Sequence, residues 1–260
     1  MKKAYYFDLD NTLFFNDQGC ILPNTLKLLH ALKKQPNTFL GLATGRSLEK
    51  LAIVKDILPL FDHMVLINGA MLYIKGKLVY DSPISKEDIE DVLEILKNTN
   101  VNIGMVSEKE DAILYEDARV DHAMKTLRGI HPVVKKNFHL TTSIYQLWIF
   151  ADSDDDIKNI AGKLTKFHCF PWHVGGADFI YPHVHKASGI QYLRALDPYD
   201  MLIAVGDGLN DISMIKLADI GIAMGNTRFE QLKKEAQLIA PHIKDDLLYE
   251  FFMKEQLLLT

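Results

Sequence analysis

Two aspartates, Asp8 and Asp10, stand at the end of an aromatic, β-favouring run, KAYYF at residues 3–7. A second acidic pair, Asp207 and Asp211, follows the apolar run MLIAVG in the same way. Thr44-Gly45-Arg46 follows TFLGLA, and Asn68-Gly69 follows HMVLI. In an open parallel sheet, ligands bind outside the carboxyl ends of the strands, so this placement predicts four strand ends converging on one crevice. Four carboxylates gathered there repel one another unless protons or a cation neutralise them. A hard divalent ion such as Mg²⁺ answers that charge, because it uses few protein carboxylates and completes its shell with substrate oxygens.

Groups suited to an anion lie beside the acids: the Thr44 hydroxyl, the Gly45 N–H, the Asn210 amide and the Lys186 ammonium. With a phosphate held against Mg²⁺, Asp8 can act as a carboxylate nucleophile, forming an aspartyl-phosphate that water later attacks. Asp10 can protonate the leaving oxygen and then deprotonate that water. This requires the chain to turn after Asp8, since in a straight strand residues two apart share a face. Each signal is ordinary alone: paired acids are common in turns, and an aspartate before a helix is a common cap. An apolar strand precedes each acidic cluster, and independent turns have no reason to supply nucleophile, anion hole, lysine and metal acid in that order.

The elements that must carry these residues follow from periodicity. Leu26, Leu29 and Leu32 share a helical face between the first two strands. Ser47 is placed to cap a helix carrying Leu48, Leu51 and Val54 before the strand at His63–Asn68. The grammar then changes, because MLYI-KG-KLVY reads as a hairpin turning at Lys75-Gly76, which does not belong in a parallel sheet. A helix opened by Ser85, a strand SIYQLWIFA, a second helix bearing Ile157, Ile160, Ala161 and Leu164, and a hairpin at Gly175-Gly176 suggest an α+β layer. Beyond Lys186 the parallel pattern resumes. The expected organisation is a Rossmann-like α/β core, residues 1–80 and 183–260, split by an inserted α+β domain at 81–182.

Composition narrows the function classes. The chain has 260 residues, 48% of them apolar, and a net charge of -5, with 29 Lys and Arg against 34 acids. No basic run exceeds a pair, which disfavours a nucleic-acid or anionic-membrane binder and leaves small charged metabolites. Cys20 and Cys169 form no metal-like spacing, and the first acids come too early for a signal peptide. No apolar run is long enough to span a bilayer, so a cytoplasmic location and a monomer, or at most a weak homo-oligomer, are expected. His168, His173, His183, His185 and Cys169 lack ligand spacing and read as hinge and packing residues. Tyr145, Trp148, Phe170 and Trp172 read as strand core, and Asp152–Asp156 as a charged first helical turn.

DLDNTL, LATGRS, a solitary Lys186 before a helix and GDGLNDISMI stand in the order and spacing of the haloacid dehalogenase superfamily, which this chain resembles over its core. The insertion between the second and third motifs, with NGA at 68–70 and IAMGN at 222–226, is similar to the large α/β cap of the Cof-type sugar-phosphate phosphatases. The resemblance implies that Asp8 is nucleophile and Mg²⁺ ligand. Asp10 would be the general acid/base and a metal ligand through its backbone carbonyl, with Asp207 the third ligand. Leu9 N–H, Thr44, Gly45, Lys186 and Asn210 would hold phosphate. Asp211 would position metal-bound water or Lys186, and Arg46 would face substrate. Two departures stand out: Asn11 where this subfamily usually has glycine, and Lys186-Ala187 where Lys-Gly is common.

The activity expected is Mg²⁺-dependent hydrolysis of small phosphate monoesters, with a small phosphorylated metabolite as partner. A phosphomutase of phosphomannomutase type is the related alternative, distinguished by dependence on a sugar bisphosphate. A non-enzymatic module responding to phosphoaspartate is the distant one. It is disfavoured because Asp10 would shorten the life of the phosphoaspartate.

Overall fold

The computed structural model of the chain describes residues 1–127 and 130–258. The chain divides into two compact units, one of residues 1–45, 53–80 and 185–260, the other of residues 46–52 and 81–184. Residues 46–52 thus pack with the inserted unit, although in sequence they continue the core motif at Thr44-Gly45.

The first unit is built on an eight-stranded sheet with Lys3–Phe7 in its interior, parallel to Thr38–Ala43 on one side and Met201–Gly206 on the other. Ile220–Ala223 and Leu238–Ile239 continue it in parallel beyond Met201–Gly206, as His63–Leu66 does beyond Thr38–Ala43. Continuous apolar strands suit a sheet covered on both faces. On one face, helices Lys186–Leu196 and Ile212–Leu217 set Ile190, Leu193, Met214 and Ile215 among Tyr6, Ala43, Val65 and Ala204. On the other, Tyr5 and Phe7 meet Phe252 from the helix Leu248–Lys254, and the Tyr5 hydroxyl donates to Leu257 O at 2.6 Å. Burying an apolar side chain the size of Phe7 contributes about 1.5–3 kcal/mol.

Two expectations need correction. The hairpin at Lys75-Gly76 is present, with φ of 48° and 75° at its tip, but Met71–Ile74 pairs antiparallel with His63–Leu66 and Lys77–Asp81 follows it in the same sheet. An antiparallel strand can close the edge of an otherwise parallel sheet, so this hairpin finishes the core sheet. After Ser47 the chain forms a 3₁₀ stretch, Glu49–Val54, in place of an α-helix. Leu48, Leu51 and Val54 recur at intervals of three, which is the 3₁₀ repeat.

The inserted unit carries a six-stranded, mainly antiparallel sheet: Val133–Val134, Asp111–Ile113, Asn102–Val106, Gln146–Phe150, Gly176–Ile180 and His168–His173. Helices Lys86–Leu96 and Asp154–Lys163 pack Ile89, Val92, Ile157 and Ile160 against Ile103, Met105, Leu147, Ile149 and Phe179. Ser85 and Ser153 cap them, their hydroxyls accepting from Asp88 N at 3.1 Å and Asp156 N at 3.2 Å. Asp154, Asp155 and Asp156 fill the first turn, where the helix dipole favours acids. Trp148 and Phe150 alternate with those apolar residues and meet Trp172 edge to face. Tyr145 and Trp148 are buried as strand core should be, whereas Phe170 and Trp172 are half-buried. Among the described residues, no helix is long and apolar enough to cross a membrane.

Candidate functional site

Every predicted site residue except Arg46 lies in the first unit; Arg46 packs with the second. Asp8 directly follows the Lys3–Phe7 strand, held in line by its N–H donating to Val205 O at 2.9 Å. The chain then curls: Leu9 O accepts from Leu13 N at 2.9 Å and Phe14 N at 2.7 Å, and Asn11 adopts φ 55°. This is the turn that separates Asp10 from Asp8, leaving Asp8 buried and Asp10 partly exposed. Asn11 supplies a positive φ that asparagine tolerates better than most residues, so the departure from glycine carries little strain.

Lys186 opens the helix Lys186–Leu196 behind a reciprocal cap in which His185 Nδ1 accepts from Ser188 N and Ser188 Oγ accepts from His185 N, both at 3.1 Å. A cation at a helix N-terminus is disfavoured by the dipole. This one is also fully buried, and two carboxylates compensate it: its Nζ donates to Asp8 Oδ1 at 2.6 Å and Asp211 Oδ1 at 2.5 Å. Burial alone would lower the lysine pKa, but Asp211 and Asp8 hold it above its ordinary value. Asp211 is committed on both oxygens, because Oδ2 accepts from Asp207 N at 2.9 Å and Gly208 N at 2.8 Å. Gly206 makes room for it: a Cβ there would lie 2.4 Å from Asp211 Cγ.

Ligand oxygens of Asp8, Asp207 and Asp211 lie within 4.8 Å of one another. Three carboxylates face one ammonium, so the cluster carries excess negative charge. Burial, offset in part by Lys186, pushes Asp8 up to about 7. Burial, then the neighbouring Asp8 and Asp211, raises Asp207 well above the usual carboxylate range. An all-oxygen, anionic donor set of this kind fits a hard divalent cation such as Mg²⁺. Since Asp211 is engaged by Lys186 and the loop N–H groups, Asp8 and Asp207 are the side chains suited to ligate it.

Around this centre, Thr44 is buried at the end of its strand with its N–H on Val65 O at 2.9 Å, and Gly45 follows it. Asn210 Nδ2 donates to Asn68 Oδ1 at 2.8 Å. The structure thus brings Asp8, Lys186, Asp207 and Asp211 into one cluster, with Leu9, Asp10, Thr44, Gly45 and Asn210 on the adjoining strand ends. Gly206, Thr12 and Asn226 lie within the sequence motifs and clusters but were assigned no role from the sequence. Thr12 Oγ1 donates to Asp207 Oδ1 at 3.2 Å. Asn226 braces the turn after Asp10, donating from Nδ2 to Asn11 O at 2.9 Å while its Oδ1 accepts from Ile243 N at 3.0 Å. Asn226 lies just beyond the Ile220–Ala223 strand, so the strand-end rule could have found it.

A family model described as haloacid dehalogenase-like hydrolase matches residues 5–252. Pyridoxal phosphate phosphatase YbhA of Escherichia coli is 24% identical over 265 residues, covering 94% of this chain and 95% of that protein. A Streptococcus pyogenes protein, whose name couples a phosphatase with a peptidyl-prolyl cis-trans isomerase, is 25% identical over 255 residues. That match takes in 95% of this chain, which spans about half, 53%, of the longer protein. Among solved structures, the HAD subclass IIB sugar phosphatase BT4131 superposes with a TM-score of 0.88 at 23% identity, over 98% of this chain and 99% of that one.

Proposed function

This chain belongs to the haloacid dehalogenase-like hydrolases, and we propose that it is a Mg²⁺-dependent phosphatase of small phosphate monoesters that works through an aspartyl-phosphate on Asp8. The observation that carries this reading is the buried cluster in which Asp8 shares Lys186 with Asp211 and lies beside Asp207. Relatives named for pyridoxal phosphate and sugar phosphate hydrolysis support the substrate class.

In this reading Asp8 attacks phosphorus while Asp10 gives its proton to the departing oxygen. Asp10 then takes a proton from water, whose oxygen displaces the phosphoryl group from Asp8 and returns the carboxylate. Lys186 offsets the negative charge around Asp8 through both half-reactions. Leu9 N–H, Thr44, Gly45 and Asn210 hold the phosphoryl oxygens. Mg²⁺, held by Asp8, Asp207 and the Asp10 carbonyl, would neutralise charge on the phosphoryl group. Asp211 fixes Lys186 and the 207–208 turn, and Arg46 is assigned to substrate contact. The inserted unit serves as the cap.

Phosphate release from a panel of phosphate monoesters, with Mg²⁺ and with chelator, tests the reading. Release should depend on Mg²⁺ and fall by at least about a thousandfold in Asp8→Asn, which removes the nucleophile with little change in shape. Undiminished release by that variant would overturn the assignment.

A further inference from the structure

Ile67 and Asn68 are both buried and both left-handed, with φ of 48° and 56°. Asparagine accepts this backbone; a β-branched isoleucine rarely does. Such a conformation persists only where surrounding contacts over-determine it, and it clusters at functional sites. The contacts here join three strand and helix ends. Asn68 N–H donates to Thr44 O at 3.0 Å. The Asn68 side chain rests on Gly45, where a Cβ would come within 3.3 Å of Asn68 Nδ2. Gly69, at φ 114°, lies against the residue before Lys186 so closely that a Cβ would sit 2.6 Å from His185 O.

The fourth contact is chemically specific. Asn210 Nδ2 donates to Asn68 Oδ1 at 2.8 Å, while Asn210 Oδ1 is turned toward Gly208, where a Cβ would lie 2.5 Å from it. An amide presents donors at one end and acceptors at the other, and only the donor end suits a phosphate. The contact with the Asn68 oxygen forms when Asn210 turns its nitrogen, and not its oxygen, toward it. One Nδ2 hydrogen then serves Asn68, and the second remains for an anion.

We propose that Asn68 is a positioning residue that fixes which end of the Asn210 amide faces the phosphoryl group, and that the left-handed Ile67-Asn68 turn exists to place it. This rests on reading Asn210 as a phosphate ligand. Asn68→Gly tests it, because glycine keeps the left-handed backbone and deletes only the acceptor; Asn68→Ala serves if the glycine variant does not fold. The readouts are inorganic phosphate binding in the presence of Mg²⁺, KM and kcat for a phosphate monoester, and the thermal midpoint.

Asn68→Gly should weaken inorganic phosphate by about tenfold, the scale of one hydrogen bond to a charged group. KM should rise by a similar factor and more than kcat falls. Asn210→Ala should produce the same loss, and combining the two should add nothing, since both delete one oriented donor. Unchanged phosphate affinity in Asn68→Gly alongside a loss in Asn210→Ala overturns the proposal, as do losses that multiply in the double variant. If Asn210→Ala also binds phosphate normally, the phosphate-ligand reading of Asn210 falls, and the role of Asn68 falls with it.

Discussion

Each unit buries a lysine against carboxylate, and the two solve the problem differently. Lys186 is shared by Asp8 and Asp211, and its proton is held more tightly than in water. Lys50 pairs with Asp111 at 2.5 Å, with its ammonium 4.0 Å above the Trp148 ring. Burial lowers Lys50 against the opposing pull of Asp111, and burial raises Asp111 against the pull of Lys50. Among the described residues, Asp111 Oδ1 is buried without a hydrogen-bond partner. One close counter-charge leaves a buried pair leaning toward its neutral forms, whereas two hold the lysine charged and leave surplus negative charge beside it. The first arrangement is a structural pair; the second is the electrostatic setting a cation and a phosphate require.

Removing the cation from each unit is the sharpest test of that contrast. Lys186→Met strands two buried carboxylates, and should cost about 3–5 kcal/mol in denaturant unfolding besides removing activity. A loss below about 1 kcal/mol would show that the cluster does not depend on its lysine. Asp111→Ala leaves Lys50 over Trp148 without the carboxylate that opposes the effect of burial on its ammonium. A smaller cost of about 1–3 kcal/mol is expected from the lost partner. Replacing both partners, Lys50→Met with Asp111→Leu, should then restore stability to within about 1 kcal/mol of the parent, because a buried pair often gives way to apolar groups without loss. Equal costs for Lys186→Met and Asp111→Ala would erase the distinction between the units.

His63 extends the comparison to a buried base with no charge to hold. Its Nδ1 accepts from the Tyr6 hydroxyl at 2.7 Å and its Nε2 donates to Asp197 Oδ2 at 3.2 Å. Burial lowers its pKa below the ordinary histidine value of 6.5, with Asp197 opposing. Below pH 6.5 the unfolded chain therefore binds a proton that the folded chain refuses. Its contribution is fully present above about 6.5 and shrinks as pH falls toward the lowered folded value. Unfolding free energy measured from about pH 7.5 to 5 should decline less steeply in His63→Gln, by about 1 kcal/mol or less across the range. A steeper decline in the variant would mean that the folded state favours the charged imidazole.

Much of this site was legible because it is local: Asp8, Thr44 and Asp207 each directly follow an apolar strand, and strand-end position is written in a few consecutive residues. The same locality hid Lys50. It falls within residues 1–80, expected as core, yet it pairs with Asp111 in the inserted unit. Asn226 and Thr12 were given no role because their importance lies in what they touch across long sequence separations, Asn11 and Asp207. The 3₁₀ stretch at Glu49–Val54 was misread because a spacing of three fits both helix types until tertiary contacts choose.

The interior position of Lys3–Phe7 in its sheet has a consequence for synthesis. One of its two neighbours, Thr38–Ala43, is made soon afterwards, but the other, Met201–Gly206, is made only after the whole inserted unit has been translated. Until then the strand leading to Asp8 presents a bare hydrogen-bonding edge of the kind that recruits foreign strands. The inserted unit has all its strands by residue 180 and can fold while that edge waits. The nascent chain thus passes through an interval in which the strands of its inserted unit are all made while this core edge is still unpaired.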